Sequence, residues 1–407
     1  MSDSTPAPYP DRGDIAGKRV LGSVRGDLPG PMLVCVAGLH GNEPSGNHAM
    51  LRVLTKLVDD EIPLRGDLVA LGGNITALGQ SVRFIDEDMN RVWQPDRVLT
   101  VLSSLRVGRD ASRMVGSAEL AEQRELVGAL RQAAKDARGP VRVLDLHTTS
   151  AESAPFTTLG DTLQNRTLAR ALPIPAVLGL EEQIDGAMLQ YFDLLGWAGI
   201  GIEGGSHGSP GSIDAHEDAV WVLLETLGMV MADDVPDLGE RRARLAGAAT
   251  SLPPVVDVRY RHAIAPEDGF RMDPGFPNFV PVTRGQRLGE DVRGPVAAPL
   301  GGLLFLPLYQ KQGDDGFFIV RAVRPVWLSI SRWLRERGWD RRATWIPGVI
   351  RHPERDDAVI LARWATNRWV LGLLHLLGFN ARREGERTVM IRRVESAALG
   401  SDLDLRR

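Results

Sequence analysis

The sequence predicts an α/β fold in which a largely parallel sheet is covered by helices, and three observations carry that prediction. From residue 18 to about 232, strand-like apolar runs alternate with segments whose apolar residues recur at helical spacing. Histidines stand at the ends of two of those runs, His40 just beyond 32–37 and His147 at the end of 141–146, where open α/β sheets gather their ligands. The chain of 407 residues, 43% hydrophobic and 25% charged, is long enough for a substantial core and two or three domains.

The elements follow in order. Residues 1–17 are rich in Pro, Ser, Asp and Gly, without the basic and apolar regions of a signal peptide, and are expected to be a flexible leader. Strands are expected at 32–37, 67–72, 141–146, 176–180 and 198–202, and helices at 47–57, 118–137 and 213–231. The stretch 99–116 is expected to be a loop with a short helix. Together 18–245 makes the catalytic domain, ending in a charged run at 233–244 and an Ala-, Pro- and Ser-rich stretch at 246–255. Between 255 and 323 short apolar runs are separated by turn sequences such as Gly285-Gln286-Arg287-Leu288-Gly289, which predicts a small β-barrel or sandwich. Residues 324–407 hold six of the nine tryptophans and many arginines. This extension is expected to be α-rich, with its aromatics packing a core and its arginines solvating the surface; the alternative is an aromatic and basic patch for a partner or polyanion.

Composition excludes some classes. A net charge of −4 and a pI near 6.1 carry no nucleic-acid footprint, and no apolar run reaches the ~18 residues of a membrane span. The single cysteine, Cys35, sits in the 32–37 strand and has no partner for an internal disulfide. A cytoplasmic protein that engages neither membrane nor nucleic acid is expected; its oligomeric state stays open.

The chemistry starts at Gly38-Leu39-His40-Gly41-Asn42-Glu43, which offers an imidazole and a carboxylate three residues apart. Alone, the pair would be a loop histidine and a glutamate favoured by a helix N-terminus. His147, in Asp145-Leu146-His147-Thr148-Thr149, supplies a third donor, and three protein ligands with one open position describe a catalytic zinc site. Asp145, two residues earlier on the same strand, can orient the His147 imidazole. Glu203, in Ile202-Glu203-Gly204-Gly205, ends another strand, where a carboxylate can relay a proton, while its glycines leave room for substrate. Arg83 can polarise a carbonyl, and Asn90 with Arg91 can clamp a carboxylate. Asp86 and Asp88 can orient those arginines. Of the remaining histidines, His207 lies nearest the proposed base in sequence.

Taken in order, Gly-x-His-Gly-Asn-Glu, Asn74-x-x-Ala77, the Arg83–Arg91 motif, Asp-Leu-His-Thr and Glu-Gly-Gly resemble the succinylglutamate desuccinylase/aspartoacylase family, a branch of the zinc-carboxypeptidase-like fold, over roughly the first 230 residues. The resemblance implies that His40, Glu43 and His147 bind one zinc ion per chain, that Arg83, Asn90 and Arg91 bind substrate, and that a β-rich domain narrows the active-site mouth. It implies a zinc-dependent hydrolase cleaving the amide of an N-acyl amino acid. No Arg or Lys occurs between 188 and 201, where aspartoacylases proper place an arginine for a second carboxylate. Met188, Leu189, Tyr191, Phe192 and Trp197 are expected instead to wall the pocket, so the acyl group stays open, as does amide against ester. The alternatives are a metallocarboxypeptidase on short peptides and a non-catalytic metal- or partner-binding paralogue.

Overall fold

The computed structural model describes residues 17–106, 116–310, 312–384 and 387–395. Apart from Gly17, the expected leader lies outside the described residues, as do 107–115 of the segment expected to be mostly loop.

The first part of the chain runs β1 (Val20–Arg25), β2 (Leu28–Ala37), α1 (Ser45–Asp59), β3 (Arg65–Gly72), α2 (Ile75–Gln80), α3 (Pro95–Arg106), α4 (Ala118–Asp136) and β4 (Val141–Thr149). It continues with β5 (Phe156–Thr158), α5 (Leu163–Ala171), β6 (Ala176–Leu178), α6 (Met188–Leu194), β7 (Ala198–Ser206), α7 (Pro210–Thr226) and α8 (Leu238–Ala248). β2 shows why the sheet is central. Its residues 32–37 are all buried, with Leu33, Cys35 and Ala37 entering one core and Met32, Val34 and Val36 the other, as a period of two demands. α1 and α7 supply the first core, and α3, α4 and α6 the second, so helices cover both faces. Local signals set the helix starts: Ser117 caps α4 by accepting from the Leu120 amide, and Pro210 opens α7.

β2, β4 and β7 are parallel neighbours, and their carboxyl ends lie side by side, with His147 opposite Glu203 in the register. Turning there requires Gly38, whose φ of 70° is left-handed.

The segment expected to form its own barrel or sandwich is built differently. It contains β8 (Val255–Ala263), β9 (Arg271–Met272), β10 (Pro281–Val282), β11 (Arg287–Asp291), β12 (Gly294–Ala297), β13 (Gly302–Phe305) and β14 (Asp315–Ala322). Only β9, β11 and β12 make a separate sheet. β8 pairs parallel with β6 and antiparallel with β14, and β13 and β10 follow, giving one 11-stranded sheet across the expected boundary. Covering the β6 edge removes a row of unpaired backbone groups.

The C-terminal segment departs from the expected α-rich extension. Alongside α9 (Pro325–Glu336), β15 (Val349–Arg351), β16 (Ala358–Leu361) and α10 (Arg368–Leu376), β17 (Phe379–Glu384) and β18 (Arg387–Arg392) complete a four-stranded antiparallel sheet. The strands are only three to six residues long, too short for a period of two to be separated from helical spacing. Its small core, formed by residues such as Val349, Leu361, Leu374 and Met390, contains no tryptophan, contrary to expectation. All six tryptophans of the segment are exposed.

Candidate active site

His40 follows β2, Glu43 lies just before α1, His147 is on β4 and Glu203 on β7. These four and Arg83, Asn90 and Arg91 line one cavity of about 170 Å³. Potential ligand atoms of His40, Glu43 and His147 lie within 4.8 Å of one another, and all three residues are buried. Glu43 sits between the imidazoles: its Oε1 is 2.9 Å from His40 Nδ1 and its Oε2 is 3.1 Å from His147 Nδ1. The Thr148 amide also donates to Oε2, at 2.9 Å.

Each imidazole has a carboxylate at its far nitrogen. His40 Nε2 is 3.0 Å from Asp88 Oδ1, and His147 Nε2 is 2.9 Å from Asp145 Oδ2. The Asp88 hydrogen bond fixes the orientation of the His40 ring, and both Nδ1 atoms point at Glu43. Two buried nitrogens and a carboxylate oxygen converging from different elements fit a zinc ion.

Gly41 sits in the turn closed by the Glu43 amide on the His40 carbonyl at 3.1 Å, and a Cβ there would lie 2.0 Å from the Ala77 carbonyl carbon, so glycine also lets α2 approach. Gly204 likewise makes room for α7 rather than substrate, since a Cβ would lie 2.7 Å from the Ser212 oxygen and His216 Cε1.

Arg83 donates to Asp88 Oδ2 from Nη2 at 3.0 Å and to Glu43 Oε1 from Nη1 at 3.3 Å. Asp88 thus ties an arginine to a candidate ligand, beyond its expected part in orienting arginines. Asp86 instead accepts from the Ala118 amide at the start of α4. Glu119, which sequence reasoning missed, is fully buried and accepts from the amides of Ile85, Asp86 and Glu87, holding the loop between Arg83 and Asn90. With Glu122 and Gln123 buried on the same helix, nothing in the α4 sequence singled it out. Arg91 reaches Asp315 Oδ2 at 3.3 Å, and the Asn90 Oδ1 accepts from the Met188 amide. The Asn90 Nδ2 is left as the donor.

Burial pushes the Glu203 carboxyl up to about 8, with Glu43 and Asp145 adding to the rise and His147 and Arg83 opposing it. Burial would also raise Glu43, but the neighbouring His40 and His147 hold it well below the usual carboxylate range. Asp88 behaves alike, lowered against burial by His40 and Arg83.

Of the expected pocket wall, only Leu189 reaches the cavity; Met188, Tyr191, Phe192 and Trp197 pack in the core beside Trp93. Leu180, Ile184, Leu306 and Phe318 supply apolar surface instead. His207 lies close by without joining the ligands: its Nδ1 is 2.7 Å from Thr148 Oγ1 and its Nε2 is 3.2 Å from Gln310 Oε1. Gln310 also accepts from the Asn42 amide group, so the loop before β14 closes over the site.

The succinylglutamate desuccinylase/aspartoacylase catalytic domain matches residues 29–223. Similar solved structures include a succinylglutamate desuccinylase/aspartoacylase from Rhodobacter sphaeroides, 18% identical, covering 74% of this chain and 88% of that one with a TM-score of 0.54. Another is the succinylglutamate desuccinylase from Chromobacterium violaceum, 18% identical, covering 79% and 95% of the two chains with a TM-score of 0.51. No curated protein matches the chain. Residues 29–223 thus form a catalytic domain of the succinylglutamate desuccinylase/aspartoacylase family.

Proposed function

We propose that the protein is a zinc-dependent hydrolase that cleaves the amide of an N-acyl amino acid. The observation that carries this reading is the buried His40, Glu43 and His147 cluster sharing a cavity with Glu203 and Arg83. A zinc ion held by those three residues would polarise the scissile carbonyl and lower the pKa of a water molecule. Glu203, on the strand beside His147, takes the proton from the attacking water and returns it to the leaving nitrogen. Its raised pKa brings it near neutrality, as a group that alternately holds and releases a proton requires. Arg83 stabilises the negative charge that develops on the carbonyl oxygen. Arg91 and the Asn90 Nδ2 bind the substrate carboxylate, with Arg91 exchanging Asp315 for it.

Among the described residues that line the cavity, the arginines are Arg83 and Arg91, and none is a lysine. With Arg83 engaged at the carbonyl, one guanidinium remains for one carboxylate. This supports a monocarboxylic N-acyl amino acid with an uncharged acyl group over a dicarboxylic substrate. The test is hydrolysis of a panel of N-acyl amino acids, acyl esters and dipeptides with and without chelator. Acyl release from the first group, abolished by chelation and restored by zinc, is expected; preferential release of C-terminal residues from dipeptides, or no turnover at all, would overturn the proposal.

A further inference from the structure

The exposed tryptophans of the C-terminal segment belong to a surface that the hydrolase chemistry does not use. α9 packs inward through Leu328, Ser331 and Arg335, and Arg335 is held by Asp161 at 2.8 Å. Its opposite face carries Val326, Ile330 and Trp333, all exposed. The helix thus buries the charged Arg335 beside Leu328 and Leu334, and presents Val326, Ile330 and Trp333 to solvent beside the exposed Arg332–Glu336 pair. Beside it, Arg337 lies 4.5 Å over the Trp333 ring, and Arg342 lies 4.8 Å over Trp339 and 5.3 Å over Trp345. Trp369 on α10 is 83% exposed. Of the seventeen large apolar side chains exposed among the described residues, ten fall in this segment.

Charge is segregated in the same way. Residues 324–407 contain seventeen arginines, no lysine and ten acidic residues, a formal charge of +7; the rest of the chain has thirty-one basic and forty-two acidic residues, a formal −11. We infer that this face of the C-terminal segment binds the surface of an anionic lipid bilayer, with the indoles and aliphatic side chains at the headgroup–acyl boundary and the arginines among anionic headgroups. Val326, Ile330 and Leu373, exposed beside the indoles, offer nothing to a nucleic-acid base, which stacks on aromatic rings. Arginines interleaved with the indoles would be costly to bury in a dry interface with a second copy, whereas at headgroup depth they stay hydrated. The contact is peripheral, since no helix among the described residues is long and apolar enough to cross a membrane.

The experiment is flotation of the full chain with vesicles of phosphatidylcholine alone or mixed equally with phosphatidylglycerol, read together with tryptophan emission. The expected result is binding to the mixed vesicles only, with a blue shift of the exposed indoles and loss in high salt. Replacing Ile330, Trp333 and Trp369 together by Gln, or Arg337 and Arg342 by Glu, should each weaken partitioning by about tenfold or more while hydrolysis is unchanged. These exposed positions leave the small core intact, and circular dichroism confirms folding of each variant. Equal flotation with both vesicle types, no flotation, or variants that bind as well as the parent would overturn the inference. So would self-association or single-stranded oligonucleotide binding that shifts the indole emission while vesicles do not.

Discussion

Glu203 owes its proposed role to position: it is half-buried on β7 directly opposite His147, and its Oε2 has no hydrogen-bond partner among the described residues. Glu203→Gln keeps size and removes the proton acceptor, so turnover should fall by about 10²–10⁴-fold with metal content unchanged; near-parental turnover would contradict the role. Asp88 touches both His40 and Arg83, and Asp88→Asn should weaken zinc affinity by about 10–100-fold, measured by competition with a chelating dye. An unchanged affinity would show that Asp88 serves Arg83 alone. A third residue tests electrostatics away from the ligands. Burial pushes the Asp193 carboxyl from 3.8 up to about 8. Because the folded value lies above the unfolded one, the protonated carboxyl favours folding; its contribution is full below about 3.8 and lost as pH rises through about 8. Unfolding free energies should therefore show Asp193→Asn gaining on the parent across that window, and a pH-independent difference would contradict the shift. His40, Glu43, His147 and Glu203 were legible because strand ends mark them in sequence. Asp88 with His40, Glu119 with the 85–87 amides, and Gln310 with His207 were not, because each joins groups tens of residues apart with no periodic signal between them.

At the scale of elements, strands with a complete apolar run were readable and strands finished by partners were not. β2, β3, β4 and β7 fall on the expected runs because burial on both faces makes such strands continuously apolar. β8 gave no sign that it would extend the catalytic sheet, since edge pairing depends on which strand leaves its backbone open. α9 misled for a different reason: Trp327 and Trp333 face solvent, while its docking face combines Leu328 and Leu334 with the buried Arg335. That docking has a measurable anchor. Arg335, 3% exposed at its side chain, reaches Asp161 and the His375 carbonyl, while Arg393 pairs with Glu181 at 2.8 Å. Removing one partner of a buried pair leaves the other uncompensated, so Arg335→Ala should cost about 3 kcal/mol in urea unfolding and speed proteolysis between the catalytic domain and α9. An unchanged midpoint would place the docking energy elsewhere.

For the whole molecule, the sheet explains why residues 40, 43, 147 and 203 can meet at all. Adjacent parallel strands β2, β4 and β7 bring their carboxyl ends together, and helices on both faces keep the frame rigid. An ion bound only by the folded chain stabilises it, by about 2.7 kcal/mol at a hundredfold excess over the dissociation constant. Thermal unfolding should consequently move up with added zinc and down with chelator. The most direct measurement is the metal content of the purified, zinc-reconstituted chain beside His147→Ala and Glu43→Gln, determined by elemental analysis after desalting. The account predicts one zinc ion per parental chain and little or none in either variant; a parental chain without zinc, or variants that retain it in full, would contradict it.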